Sequence, residues 1–213
     1  MANKSSDKQN NNLWKIIGVA GNSIWMNLTF LICCLPVITI GSAFSAMYTG
    51  IRYFIRGDSW IEGFKDGFKN NFFRVTAVWT VCLAIGVFVA NDIFITVQHY
   101  SSKYIVSLVA SCVILAIDLI FVTTFLIYNV YFPGKFVDVL SETASFMFSN
   151  ILFLIICAAI TWAPVVVFFS LPGIIMEFLL VFLGFYFSVS AFGVTIILKK
   201  PLIKVLKHKN RED

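Results

Sequence analysis

Apolar stretches long enough to cross a bilayer recur along this chain, and they constrain it more than any other feature. A helix needs about 20 mostly apolar residues to traverse the hydrocarbon, where its backbone must satisfy its own hydrogen bonds. Six such stretches can be read: Ile16 to Ile38, Gly41 to Ile55, Phe72 to Ile95, Tyr104 to Tyr131, Asn150 to Ser170 and Ile174 to Leu198. The second is short, about 22 Å at ~1.5 Å per residue. The expected fold class is therefore all-α, a polytopic membrane helix bundle of six transmembrane helices.

Composition agrees. Only 13% of residues are charged and 59% are hydrophobic, with 23 Phe. A soluble domain keeps about a quarter of its residues charged, so lipid is expected to contact most of the outside. The 213 residues fit one transmembrane domain with no internal linker.

Basic residues set the expected orientation, because Lys and Arg favour the cytoplasmic side. With the N-terminus inside, Lys4, Lys8, Lys15, Arg52, Arg56, Lys65, Lys69, Arg74, Lys135 and the six basic residues from Lys199 to Arg211 are cytoplasmic. Lys103 alone falls outside. This N-in, C-in arrangement makes residues 1–15 a polar cytoplasmic segment and 199–213 a basic cytoplasmic tail. Leu202, Val205 and Leu206 beside Lys200, Lys204 and Lys207 read as a helix lying on anionic lipid. The first apolar stretch is too long for the core of a signal peptide and more spans follow, so it is read as uncleaved.

Two cytoplasmic amphipathic helices are expected, at 58–71 and 136–149. The first opens on Ser59 and Glu62 at capping-box spacing. It sets Trp60, Ile61, Phe64, Phe68 and Phe72 on one face, with Gly63 and Gly67 forming a smooth patch. Such a face either lies on lipid headgroups or docks a cytoplasmic partner through Phe64, Phe68, Gly63 and Gly67. An offset of 80 residues aligns Asp58, Glu62, Phe68, Asn70 and Phe73 with Asp138, Glu142, Phe148, Asn150 and Phe153, the pattern of a parallel internal repeat.

Ionisable groups inside a bilayer are costly and mark function by default. Asp118 lies midway along the fourth stretch with no Lys or Arg at similar depth. A carboxyl there serves either an interhelical hydrogen bond or proton coupling. Asn27 is read as an interhelical hydrogen-bonding residue, while Asp92 and Glu177 sit near outer helix ends. Gly41, Ser45 and Thr49, flanked by Ser42, Ala46 and Gly50, form a row of small residues for close packing within the chain. The row also allows homo-oligomerisation, which nothing else in the sequence supports.

No catalytic pattern is present: the phosphate-cradling glycine loop, the nucleophile elbow and the H-E-x-x-H zinc motif are all missing. Five Cys and two His show no zinc-site spacing, so neither a cofactor nor a metal is expected. The Lys-rich tail has no accompanying aromatic platform, which argues against a nucleic-acid partner. Glu142-Thr143-Ala144 starts like the cytoplasmic loop of an ABC permease, but Phe148 stands where that loop needs glycine.

The segment from Asn27 to Phe72 resembles the YesL-like family of bacterial membrane proteins. The resemblance is carried by Asn27, Leu35-Pro36-Val37, Thr39, Gly41, Ala46, Tyr48, Arg56-Gly57, Phe64, Phe68 and Asn71, and further on by the run from Tyr131 to Phe136. Ser42 stands in place of the family's proline. The resemblance implies a non-enzymatic accessory component of carbohydrate uptake in a bacterial cytoplasmic membrane. Its partners would be membrane lipid and the permease subunits of an ABC importer. An autonomous proton-coupled transporter using Asp118 and a cell-envelope assembly factor are the competing expectations.

Overall fold

In the computed structural model the described residues are 2–98, 104–132, 134–170 and 182–209, with side chains described from 18 to 163 and from 184 to 206 within them. Among these residues all regular structure is helical. The helices are α1 (Ala2–Cys33), α2 (Ile40–Arg56), α3 (Trp60–Gln98), α4 (Ile105–Tyr131), α5 (Phe136–Ser149), α6 (Ile151–Ser170) and α7 (Phe187–Lys209). A 3₁₀ turn (Val37–Thr39) precedes α2, and a π-helical turn (Phe182–Tyr186) leads into α7.

Two helices, α3 and α4, are long and apolar enough to cross a membrane, and α5 with Ile151–Ala163 makes a third if that pair, bent by 102°, counts as one span. The apolar part of α1, Gly18–Cys33, is shorter. Their apolar side chains face outward: Phe73, Phe88 and Val106 are among the most exposed, as expected where hydrocarbon is the solvent.

The tightest packing is between α2 and the first half of α3. The chain reverses at Gly57, whose φ of 93° is the left-handed helix cap that glycine adopts without strain. From there the two helices run antiparallel, so close that a Cβ on Gly63 would stand 2.7 Å from Tyr53 Cγ. One on Gly67 would stand 2.6 Å from Thr49 Oγ1, and one on Gly41 2.6 Å from Trp79 Cβ. The small-residue row of α2 is thus spent on α3 of the same chain.

This packing corrects the expected helix at 58–71. Trp60–Gln98 is one helix of 39 residues, because no proline interrupts it and Gly63 and Gly67 are held in register by α2. The aligned segment near 136–163 behaves differently: α5 ends at Asn150 and the chain bends by 102° into α6. The two halves of the suspected repeat therefore differ in shape. At the tail α7 runs without a break through Lys199-Lys200-Pro201 to Lys209. Leu202 is buried in the core and Val205 packs against it, while Lys199, Lys200 and Lys204 are exposed.

The end of the α1–α2 hairpin is apolar. Leu35 is 81% exposed, and Val37 and Ile38 are exposed beside it. Its backbone is tied off locally: Cys34 N–H donates to Phe30 O, and Thr39 N–H donates to Pro36 O. Thr39 Oγ1 lies within bonding distance of both Cys33 O (2.6 Å) and Pro36 O (2.7 Å), and Trp79 Nε1 donates to Val37 O at 2.9 Å. This tip reaches only to Trp79. Beyond that point α3 continues to Gln98, about 29 Å further at ~1.5 Å per residue.

Candidate functional site

Folding α3 and α4 back on each other about their connection sets Cys82 opposite Asp118. Cys82 and Asp118 line the same two spaces between the helices, and a Cβ on Gly86 would make ordinary contact with Asp118 Oδ2, at 3.7 Å. The carboxyl is half-buried. On one side it forms part of a groove of about 630 Å³ between α3 and α4, bounded by Val81, Ile85, Ile114 and Ile117 and closed by Phe136 and Leu140 of α5. On the other side a smaller space of about 180 Å³ is lined by Trp79, Gly86, Val122 and Trp162. Asp118 thus sits between α3 and α4 and faces an apolar groove.

Asn27 is fully buried, and its Oδ1 accepts from Ser188 N–H at 3.1 Å. That amide belongs to the first turn of α7, just past the π-helical turn, and as a buried donor it needs an acceptor. An amide side chain on α1 supplies it. This fixes α1 to α7 across 161 residues of sequence.

The C-terminal end of α4 gathers two arginines from neighbouring helices. Arg52 Nη1 donates to Val130 O at 2.6 Å, with its guanidinium 5.1 Å from the Tyr131 ring centroid. Arg74 donates to Gly134 O at 2.8 Å and to Asn71 Oδ1 at 3.0 Å. Arg52 of α2 therefore meets a last-turn carbonyl at the negative dipole end of α4, and Arg74 of α3 meets a carbonyl of the connection from α4 to α5. Tyr128 OH donates to Glu142 Oε2 at 3.0 Å, joining α5 to the same corner. The sequence offered no signal for these pairings, because carbonyl acceptors are alike at every position.

The residues named for partner contact occupy a different environment from the one expected. Gly63 and Gly67 press on α2, and Phe64 is buried. Phe68 is half-buried, stacked between Phe64 and Phe72. On the same face Ile61 is 48% exposed, and with Trp60 and Phe64 it lines a hollow of about 390 Å³ beside Trp25 of α1. Among the motif positions, Pro36 and Thr39 shape the hairpin tip, Gly41 admits Trp79, and Asn71 orients Arg74. Asp92, expected to reach water, accepts hydrogen bonds from Ser111 and Ser107. His99 and Glu177 lie outside the described residues. Among the described residues no group of three acidic, His or Cys side chains is placed to hold a metal ion.

Residues 22–93 match a family described as "Protein of unknown function, DUF624". The match covers roughly a third of the chain and takes in the α1–α2 hairpin and nearly all of α3. No curated protein and no solved structure matches this chain.

Proposed function

We propose that this protein is a non-enzymatic accessory component of a carbohydrate ABC uptake system in a bacterial cytoplasmic membrane. It works by binding permease subunits sideways within the bilayer. The observation that carries this reading is Asp118, a mid-membrane carboxyl that opens toward the lipid-facing groove of α3 and α4. A group so placed addresses a neighbour in the membrane plane more readily than a solute path through the protein's own centre. The family resemblance of Asn27 to Phe72 supplies the carbohydrate-uptake context.

The membrane arrangement belongs to the same proposal. With the segment before α1, the Gly57 turn, the Gly134 turn and the 199–213 tail assigned to the cytoplasm, fifteen of the sixteen Lys and Arg fall on that side, which supports the assignment. Six full crossings are not needed for this distribution. We assign α1–α2 as a hairpin that enters and leaves on the cytoplasmic face. Its tip is level with Trp79, which stacks on Trp162, which in turn donates to Thr123 of α4. Thr123 lies about 12 Å along α4 from Tyr131 and about 27 Å from Ile105. A tip at that depth ends in hydrocarbon, and its exposed Leu35, Val37 and Ile38 suit that solvent. The α3, α4, α6 and α7 segments then make the full crossings.

Affinity purification of the tagged protein in mild detergent from its native host tests the functional reading. Permease subunits recovered in stoichiometric amount are the expected result. Sugar flux through vesicles containing the purified protein alone would replace this reading with an autonomous transporter.

A further inference from the structure

The α3–α4 pair holds two carboxyl groups and treats them differently. Near its outer end Asp92 accepts from Ser111 Oγ at 2.6 Å and Ser107 Oγ at 3.4 Å, both on the facing helix. At its middle Asp118 shares its groove with Cys82, whose thiol is only a weak donor. Asp118 keeps further hydrogen-bonding capacity, and the groove it faces is otherwise apolar.

The groove has the shape of a helix seat. Val81 and Ile85, one turn apart on α3, form one wall, and Ile114 and Ile117 on α4 form the other; all four are exposed. Two such ridges flanking a valley are what a third helix packs into. Charge decides what that helix must carry. The chain has no Lys or Arg between Arg74 and Lys103, between Lys103 and Lys135, or between Lys135 and Lys199. Its own spans therefore bring no cation to the level of Asp118. Acyl chains would fill the valley but leave the carboxyl facing hydrocarbon without a polar partner, the costly arrangement that intramembrane ionisable groups avoid by pairing.

We propose that the α3–α4 groove is a docking seat for a transmembrane helix of a partner protein that carries a basic side chain at mid-bilayer depth, paired there with Asp118. The proposal rests on the accessory reading and gives it a chemistry: the permease helix in contact is one with a buried Lys or Arg.

The full chain reconstituted in phosphatidylcholine vesicles tests this against two synthetic Leu/Ala helices of about 20 residues, one with a central Lys and one with a central Leu. Binding is read by energy transfer between labels. The wild-type protein is expected to prefer the Lys peptide by about tenfold. Asp118→Asn, which keeps the side chain's size and a hydrogen-bonding group, should fold normally and lose that preference, while Asp92→Asn should retain it. With the five native cysteines replaced, Ile117→Cys should form a disulfide with a cysteine one turn from the peptide's Lys when copper phenanthroline is added as oxidant. Equal affinity of the folded wild type for both peptides would mean that lipid alone covers the groove, and would overturn the proposal. So would a preference that persists in Asp118→Asn. Copurification separates this from the accessory reading. Permease recovered equally with wild type and Asp118→Asn rejects the seat and leaves the accessory role standing. Failure of the wild type to recover permease rejects that role, and the peptide preference still decides the seat.

Discussion

Trp79 of α3 lies parallel to Trp162 of α6, with ring planes 1° apart and centroids 6.1 Å apart. Their indole N–H groups point to different partners: Trp79 donates to Val37 O at the hairpin tip, and Trp162 donates to Thr123 Oγ1 on α4. Phe30, Phe44 and Phe187 continue the layer, with Phe30 4.7 Å from Phe44 and 5.0 Å from Phe187. This aromatic plate joins α1, α2, α3, α6 and α7 at one level.

Replacing the first of these indoles separates stacking from hydrogen bonding. Trp79→Phe keeps a ring but leaves Val37 O without its donor, a loss of about 0.6–2 kcal/mol. Trp79→Ala also empties the layer and costs about 3–5 kcal/mol. Equilibrium unfolding in detergent should rank wild type above Phe and Phe above Ala. An alanine variant as stable as wild type would show that the plate contributes nothing.

Glycines sort into two classes by what surrounds them. At Gly67 an added Cβ meets Thr49 Oγ1 at 2.6 Å and Ala46 Cα at 2.9 Å, so Gly67→Ala should push α2 from α3 and cost about 1–3 kcal/mol. Gly193 has nothing within 4 Å of that position. Gly193→Ala should be neutral or stabilising by up to about 1 kcal/mol through helix propensity. Thermal unfolding of the two variants side by side checks the contrast, and equal melting temperatures would contradict it.

The guanidinium of Arg52 is bonded to Val130 O, whereas Arg56 one turn on is exposed. Arg52→Met should cost about 1.5–3 kcal/mol, the range for a charged hydrogen bond. Arg56→Met should stay within about 0.5 kcal/mol of wild type. Faster amide exchange confined to the inner end of α4 in Arg52→Met would confirm the assignment; unaltered exchange there would refute it.

Depth of the hairpin tip is measurable with a single thiol. In a background with all five cysteines replaced, Leu35→Cys on intact cells should resist a membrane-impermeant maleimide and react only after detergent is added. Reporters fused after Gly57 and Gly134 should be cytoplasmic. Labelling of Leu35→Cys from outside would turn the hairpin into two full crossings.

The chemistry of individual positions was partly legible. Asp118 could be identified because a charge-bearing residue in an apolar run is conspicuous in one dimension. That Cys82 shares its groove could not, because a cysteine in an apolar run reads as a small hydrophobe until the antiparallel register of α3 and α4 is known. Phe64, Gly63 and Gly67 show the reverse failure. Their amphipathic spacing correctly marks a buried face, but periodicity says only that a face is covered. Here the cover is α2, brought back by the turn at Gly57.

From its sequence alone the protein is a helical chain with membrane-span-like segments, because the scarcity of charge and the length of the apolar runs are properties of composition and order. The turn residues Pro36 and Gly57 also mark where helices stop, since their backbone preferences are local. Only the tertiary structure decided how far each helix reaches and what it faces. Whether α2 matches α3 in length, whether 58–71 stands apart, and whether Asp118 looks inward or toward lipid all depend on register between helices. That register is fixed by contacts such as Gly41 against Trp79 and Asn27 with Ser188, pairs 38 and 161 residues apart, which local sequence pattern does not encode.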